Sequence, residues 1–258
     1  MQTFRLTIEY DGSKYSGWQG QLNARTVQGE LKSAVKELFK AEVDVQGAGR
    51  TDAGVHALGQ VAHLKLRKPA RFTPQQILRE LNDRLPSSIA ILDVSEAPPR
   101  FHARHDARAR AYMYQISTRK TALSKRYVWW VKEPLDVARI EEAAALLPGR
   151  HDFAAFRAVD PSKPDESTIV VVDSAEVAVD DNLIVFRIEA SHFLWKMVRR
   201  LVGTLVKIGK GEVGVAGFRA LLDGQSNPKL DIAAWTAPAS GLFLEGVRYE
   251  PPPALAGR

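Results

Sequence analysis

In MQTFRLTIEYDGSKYSGWQGQLNARTVQGELKSAVKELF, residues 1–39, three patterns follow one another. Phe4, Leu6, Ile8 and Tyr10 alternate with polar residues, the period of a strand buried on one face. DGSKYSGWQGQ is turn chemistry. Thr26 then stands as an N-cap, and Val27, Leu31, Val35 and Leu38 recur at helical spacing. Further along, VDVQGAG and VHALGQVAHLKL (43–49 and 55–66) read as strands. Thr73 and Pro74 open a second helix with Ile77, Leu78, Leu81 and Leu85 on its stripe. SIAILDVSEA (88–97) closes the unit as a strand. The order is βαββαβ, a ferredoxin-like unit.

The second half repeats that order with longer connections. RARAYMYQIST (108–118) is a strand, and a helix is expected from Asp136 to about Leu147. TIVVVDSAEVAV and LIVFRIEAS form a hairpin across Asp180, Asp181 and Asn182. A long helix should run from about Phe193 to Ile208, and a shorter one from Val215 to Leu222, before a last strand in GLFLEGVRY. We place a domain boundary near Asp106, giving α+β units 1–106 and 107–258. The tail PPPALAGR (251–258) is expected to be disordered.

Composition narrows the function. The 258 residues carry 36 Lys+Arg against 30 Asp+Glu, a net charge of +6 that favours an anionic partner. There is no cysteine, which removes disulfides, thiolate metal sites and a cysteine nucleophile together. MQTFRLTIEY lacks an apolar core for a signal peptide, and no stretch approaches a membrane span, so a cytoplasmic protein is expected.

No GxSxG elbow, HExxH or phosphate-binding loop is present, and Gly47-Ala48-Gly49-Arg50-Thr51-Asp52 has Asp where a dinucleotide fingerprint needs Gly. No cofactor and no metal are therefore expected; His56, His63, His102 and His105 fit no zinc spacing. The densest candidate is GAGRTDAGVHALGQ, residues 47–60. Arg50, two residues from Asp52 in a glycine-rich loop, could keep that carboxylate ionised and oriented for nucleophilic or proton-transfer chemistry. The same spacing also fits a structural Asx-turn closed by an ion pair.

Two basic surfaces accompany this loop. Side chains alternate along a strand, so Arg108, Arg110, Tyr112 and Tyr114 share one face, and the small apolar Ala109, Ala111 and Met113 share the other. Cations interleaved with aromatics suit splayed RNA bases; a solvated face with core tyrosines fits the pattern equally. On the last long helix, Lys196, Arg199, Arg200, Lys207 and Lys210 fall within an arc of roughly 100° with no acid among them. Two such surfaces favour a polyanion.

YDGSKYSGWQGQ (10–21), GAGRTDAGVHALGQVAH (47–63), FHARHDARARAYMYQI (101–116), FLWKMVRRLVGTLVKIGKG (193–211) and APASGLFLEGVRY (237–249) resemble the tRNA pseudouridine synthase A family in this order. The resemblance implies a pseudouridine synthase fold: two ferredoxin-like domains whose sheets form a central, mainly antiparallel sheet with a cleft between them. It implies a catalytic aspartate at Asp52, its paired arginine at Arg50, an active-site tyrosine at Tyr112, and an apolar uracil wall from Leu242 or Leu244. Relatives are homodimers that isomerise uridines 38, 39 and 40 of the tRNA anticodon arm without a cofactor. Lys196 departs from the family, many of whose members have His there. Two other readings stay open at this point: an RNA-binding protein without activity, which leaves GRTDAG unexplained, and a glycoside-type hydrolase, which needs a second carboxyl partner.

Overall fold

The computed structural model describes residues 2–68, 70–159, 167–225 and 227–250. The tail PPPALAGR lies outside these residues. The chain runs β1 (Gln2–Tyr10), α1 (Val27–Phe39), β2 (Asp44–Gly47), β3 (His56–Leu66), α2 (Pro74–Arg84) and β4 (Ile89–Ala97). It continues with β5 (Ala109–Ser117), β6 (Trp129–Trp130), α3 (Val137–Ala144), β7 (Gly149–Asp152), β8 (Ile169–Asp180), β9 (Leu183–Ala190), α4 (Met197–Gly209), α5 (Val215–Leu222) and β10 (Leu242–Arg248).

Local chemistry fixes the helix ends. Thr26 caps α1 by accepting from the Gly29 N–H, Thr73 and Gln76 form a reciprocal capping box on α2, and Asp136 caps α3 through the Arg139 N–H. The expected long helix begins later than its apolar pattern. Lys196 sits at φ 60, a left-handed conformation that interrupts the helical run, so Trp195 and Lys196 form a turn closed by the Met197 N–H on the Leu194 carbonyl, and α4 starts at Met197. The short strands β6 and β7 escape a pattern reading because two and four residues are too few to show alternation.

Among the described residues the strands form one mostly antiparallel sheet in the order β4-β1-β3-β10-β5-β9-β8-β7, with β2 on β3 and β6 on β5. This is the mixed α+β architecture expected. The N-terminal and C-terminal strands meet along β3. Its Ala62–Lys65 stretch pairs with β2, whereas His56 and Ala57 pair in parallel with Phe243 and Leu244 of β10. β10 in turn pairs antiparallel with β5, placing Leu242 opposite Tyr114 and Leu244 opposite Tyr112. The loop 48–55 therefore leaves the sheet where β3 changes partners. The apolar core is nearly continuous from Phe4, Leu6 and Ile8 in β1 to Leu201, Leu205 and Ile208 in α4. In β5 Tyr112 and Tyr114 are buried on one face and Ala109 and Ala111 on the other, where Met113 and Gln115 are half-buried.

Candidate active site

The loop between β2 and β3 is held from below by the turn after β1. Trp18 N–H donates to the Thr51 carbonyl at 3.1 Å, Gly54 N–H donates to the Tyr15 carbonyl at 3.3 Å, and the Tyr10 hydroxyl meets Thr51 Oγ1 at 2.7 Å. Gly17 makes the approach possible: it sits at φ +89, and a Cβ there would lie 2.4 Å from the Thr51 carbonyl oxygen. On the far side, Gln60 Nε2 donates to the Gly49 carbonyl at 3.0 Å. These bonds fix the loop backbone and turn Asp52 into a cavity of about 1160 Å³.

Asp52 is one-third exposed there. Trp195 Nε1 donates to its Oδ1 at 3.2 Å, and Arg199 Nη1 stands 3.5 Å from Oδ2. The guanidinium opposite Asp52 is thus that of Arg199, and the expectation for Arg50 is corrected. Arg50 is exposed on the cavity rim, with no ion pair among the described residues. Arg199 is itself anchored, its Nε donating to the Ala237 carbonyl at 2.7 Å, and so it belongs to the site rather than to an outward stripe.

Tyr112 lines the same cavity, its ring edge-to-face with Phe193 at 5.0 Å. Burial first, and the charge of Asp52 second, push its phenol well above the ordinary tyrosine range, so it stays protonated at neutral pH. Tyr114 is fully buried and donates to the Pro238 carbonyl at 2.8 Å, which makes it a core residue. Leu242 lines the cavity; Leu244 is also fully buried and stays out of it.

The remaining cations separate by what they touch. The Arg110 guanidinium donates to the carbonyls of Ala48, Arg104, Ala107 and Ser191, so it staples loops together and its donors are committed. Arg200 donates to the Arg157 carbonyl. Lys207 pairs with Glu212 at 2.5 Å and Lys210 with Glu133 at 2.9 Å. The uniform positive face expected for α4 is therefore compensated by acids from neighbouring segments. Arg108 is exposed, outside the cavity wall. Lys196 lines the cavity with its Nζ 5.2 Å over the Trp195 ring. Lys32 and Arg104 also reach the wall.

His56 and His63 are structural, whereas His105 and His192 line the cavity. His56 Nδ1 accepts from the Gly12 N–H and Nε2 bonds the Arg126 carbonyl, with the ring stacked on Phe243 at 4.7 Å. His63 accepts from the Ala103 N–H and faces Asp44. Burial holds both rings below the ordinary histidine range. Sequence reasoning did not assign Trp195 or Phe193 a part in the site. The aromatic pair in FLW, directly before a helix, was the available signal.

A family model described as "tRNA pseudouridine synthase" matches residues 6–106 and 143–250. Those ranges contain Asp52, Trp195, Arg199 and Leu242 and leave out Tyr112. The chain is 40% identical over 252 residues to a protein of Rhodospirillum rubrum named tRNA pseudouridine synthase A, covering 96% of this chain and 88% of that one. A protein of the same name from Moorella thermoacetica is 42% identical over 253 residues, covering 96% and 100%. Among solved structures, a chain titled "Crystal Structure of a Cbf5-Nop10-Gar1 Complex" matches at TM-score 0.32 and 9% identity over 78% of this chain and 54% of that chain, too slight to carry an argument.

Proposed function

This chain belongs to the tRNA pseudouridine synthase family, and from that premise we propose that Asp52 is the carboxylate that isomerises uridine to pseudouridine in tRNA. The isomerase activity and the tRNA substrate come with the family; the site assignment is our reading. Its main support is the setting of Asp52, a carboxylate on a clamped loop, facing a cavity with ample room for a flipped nucleoside between Arg199 and Tyr112.

The reaction breaks N1–C1′, turns the uracil and forms C5–C1′; N1 gains a proton and C5 loses one, so no redox partner enters. The target base must first leave its stack, at a cost of a few kcal/mol. Stacking on Tyr112, worth about 1–3 kcal/mol, offsets that. Asp52 then adds to the base ring or attacks C1′, and either route needs an ionised carboxylate beside the flipped nucleoside. Leu242 and Phe193 form an apolar stretch of a mixed wall, and seating the base against that stretch limits the access of water to C1′ while the glycosidic bond is open.

The cations around the cavity, Arg50, Arg104, Lys32 and Lys196, suit the phosphates flanking the flipped nucleotide. Arg108 extends that surface outward. Arg110, Arg200, Lys207 and Lys210 would have to give up present partners to join it. The finer reading is of uridines 38, 39 and 40 in the anticodon arm, acted on by a cytoplasmic homodimer whose subunits divide at Asp106. Among the described residues no helix is long and apolar enough to cross a membrane. Incubating unmodified tRNA with the protein and mapping pseudouridine nucleotide by nucleotide tests the proposal. Product at 38–40 supports it, and product confined to another arm contradicts the anticodon assignment.

A further inference from the structure

The segment Trp195–Arg199 reaches Asp52 twice. Trp195 and Arg199 are four residues apart, and each takes one oxygen of the same carboxylate, the indole Nε1 at 3.2 Å from Oδ1 and the guanidinium Nη1 at 3.5 Å from Oδ2. The guanidinium supplies charge at a loose distance. The indole supplies a shorter bond and no charge, so it constrains direction more than electrostatics.

The backbone that aims the indole is fixed. The Trp195 carbonyl accepts from the Ala158 N–H at 2.9 Å, and the Leu194 carbonyl accepts from the Met197 N–H at 3.0 Å. Between them Lys196 is held at φ 60, a conformation a lysine adopts only where its surroundings impose it. The Trp195 ring is 46% exposed, so burial alone does not explain its place. It stands over the cavity with Lys196 Nζ above it.

We propose that Trp195 is a positioning residue: its indole N–H sets the plane of the Asp52 carboxylate and, with Arg199, presents it to the flipped uridine. This rests on the reading of Asp52 as the reacting group. An aspartate held only by a 3.5 Å ion pair turns about two side-chain bonds, and a displacement of about 1 Å in a reacting group can cost about a hundredfold in rate.

The test compares the parent, Trp195→Phe, Trp195→His and Asp52→Asn in single-turnover assays at saturating tRNA, with tRNA Kd measured separately. The assays run at pH 8, where a solvated imidazole is neutral. Trp195→Phe keeps a ring and loses the donor; its rate should fall about tenfold to a hundredfold while Kd stays within about threefold. Trp195→His restores a ring N–H and should recover most of the rate. A parental rate in Trp195→Phe, equal slowness of Phe and His variants, or a loss confined to Kd would each overturn the proposal. Asp52→Asn separates the two readings. If it makes product, the role of Asp52 falls and this inference with it. If it is inactive while Trp195→Phe keeps the parental rate, only the positioning role falls.

Discussion

At the residue scale the site is a carboxylate between a cation and a buried phenol. Because burial and the Asp52 charge both hold Tyr112 protonated, the ring is neutral and free to stack. Tyr112→Phe should therefore bind tRNA as the parent does, whereas Tyr112→Ala should weaken binding by a stacking increment of about 1–3 kcal/mol. Direct titration checks this, and equal affinities for the two variants would contradict stacking. Asp52 was readable as a candidate because GRTDAG is a local signal. Its cationic partner was not. Arg199 lies 147 positions away, a pairing only the folded sheet creates, and the nearby Arg50 drew the assignment although the loop turns it to solvent. The same limit applies to Tyr114: alternation placed both phenols on one face of β5, but the Pro238 carbonyl that buries the second comes from beyond α5.

At the element scale two segments hold the site in place. The turn after β1 supports the Asp52 loop from below, and Gly17 packs against the Thr51 carbonyl beside Asp52. Gly17→Ala would force a side chain into the left-handed region, costing about 1–2 kcal/mol, and would add a Cβ 2.4 Å from the Thr51 carbonyl. Activity should fall more steeply than tRNA affinity, and a variant with parental turnover and Tm would show that the clamp is dispensable. In α4 the helical period was readable from Leu201, Leu205 and Ile208, but its start was not, since apolar spacing carries no sign of the left-handed Lys196. Nor could the spacing reveal Glu212 and Glu133, which neutralise Lys207 and Lys210. A direct phosphate contact contributes about 0.7–0.9 to the salt slope of log K. The double variant Lys207→Ala, Lys210→Ala should change that slope by less than about one. Titrations at several salt concentrations decide it, and a drop approaching two would return both lysines to the RNA surface.

At the scale of the whole molecule, one sheet joins both halves and buries His56 and His63 of β3. His56, His63 and His102 have pKa values depressed chiefly by burial. The unfolded chain therefore binds more protons than the folded one below about pH 6.5. Stability should be flat above pH 7 and fall as pH drops from about 6.5 toward 5. The lowered carboxyls of Asp11 and Asp44 extend that loss at lower pH. Thermal melts across this range check the sign, and an unchanged Tm down to pH 5 would contradict it. The helices, most of the strands and the basic balance were legible in the sequence. The joining of both units through two residue pairs between β3 and β10 is long-range geometry with no local pattern. On the reading proposed above, that seam brings an RNA-binding surface to the Asp52 carboxylate, and the two can be separated. The decisive measurement is pseudouridine formation in tRNA by Asp52→Asn, with tRNA Kd determined on the same preparation. We predict no product and a Kd within about tenfold of the parent, about 1.4 kcal/mol; turnover by that variant would contradict the account.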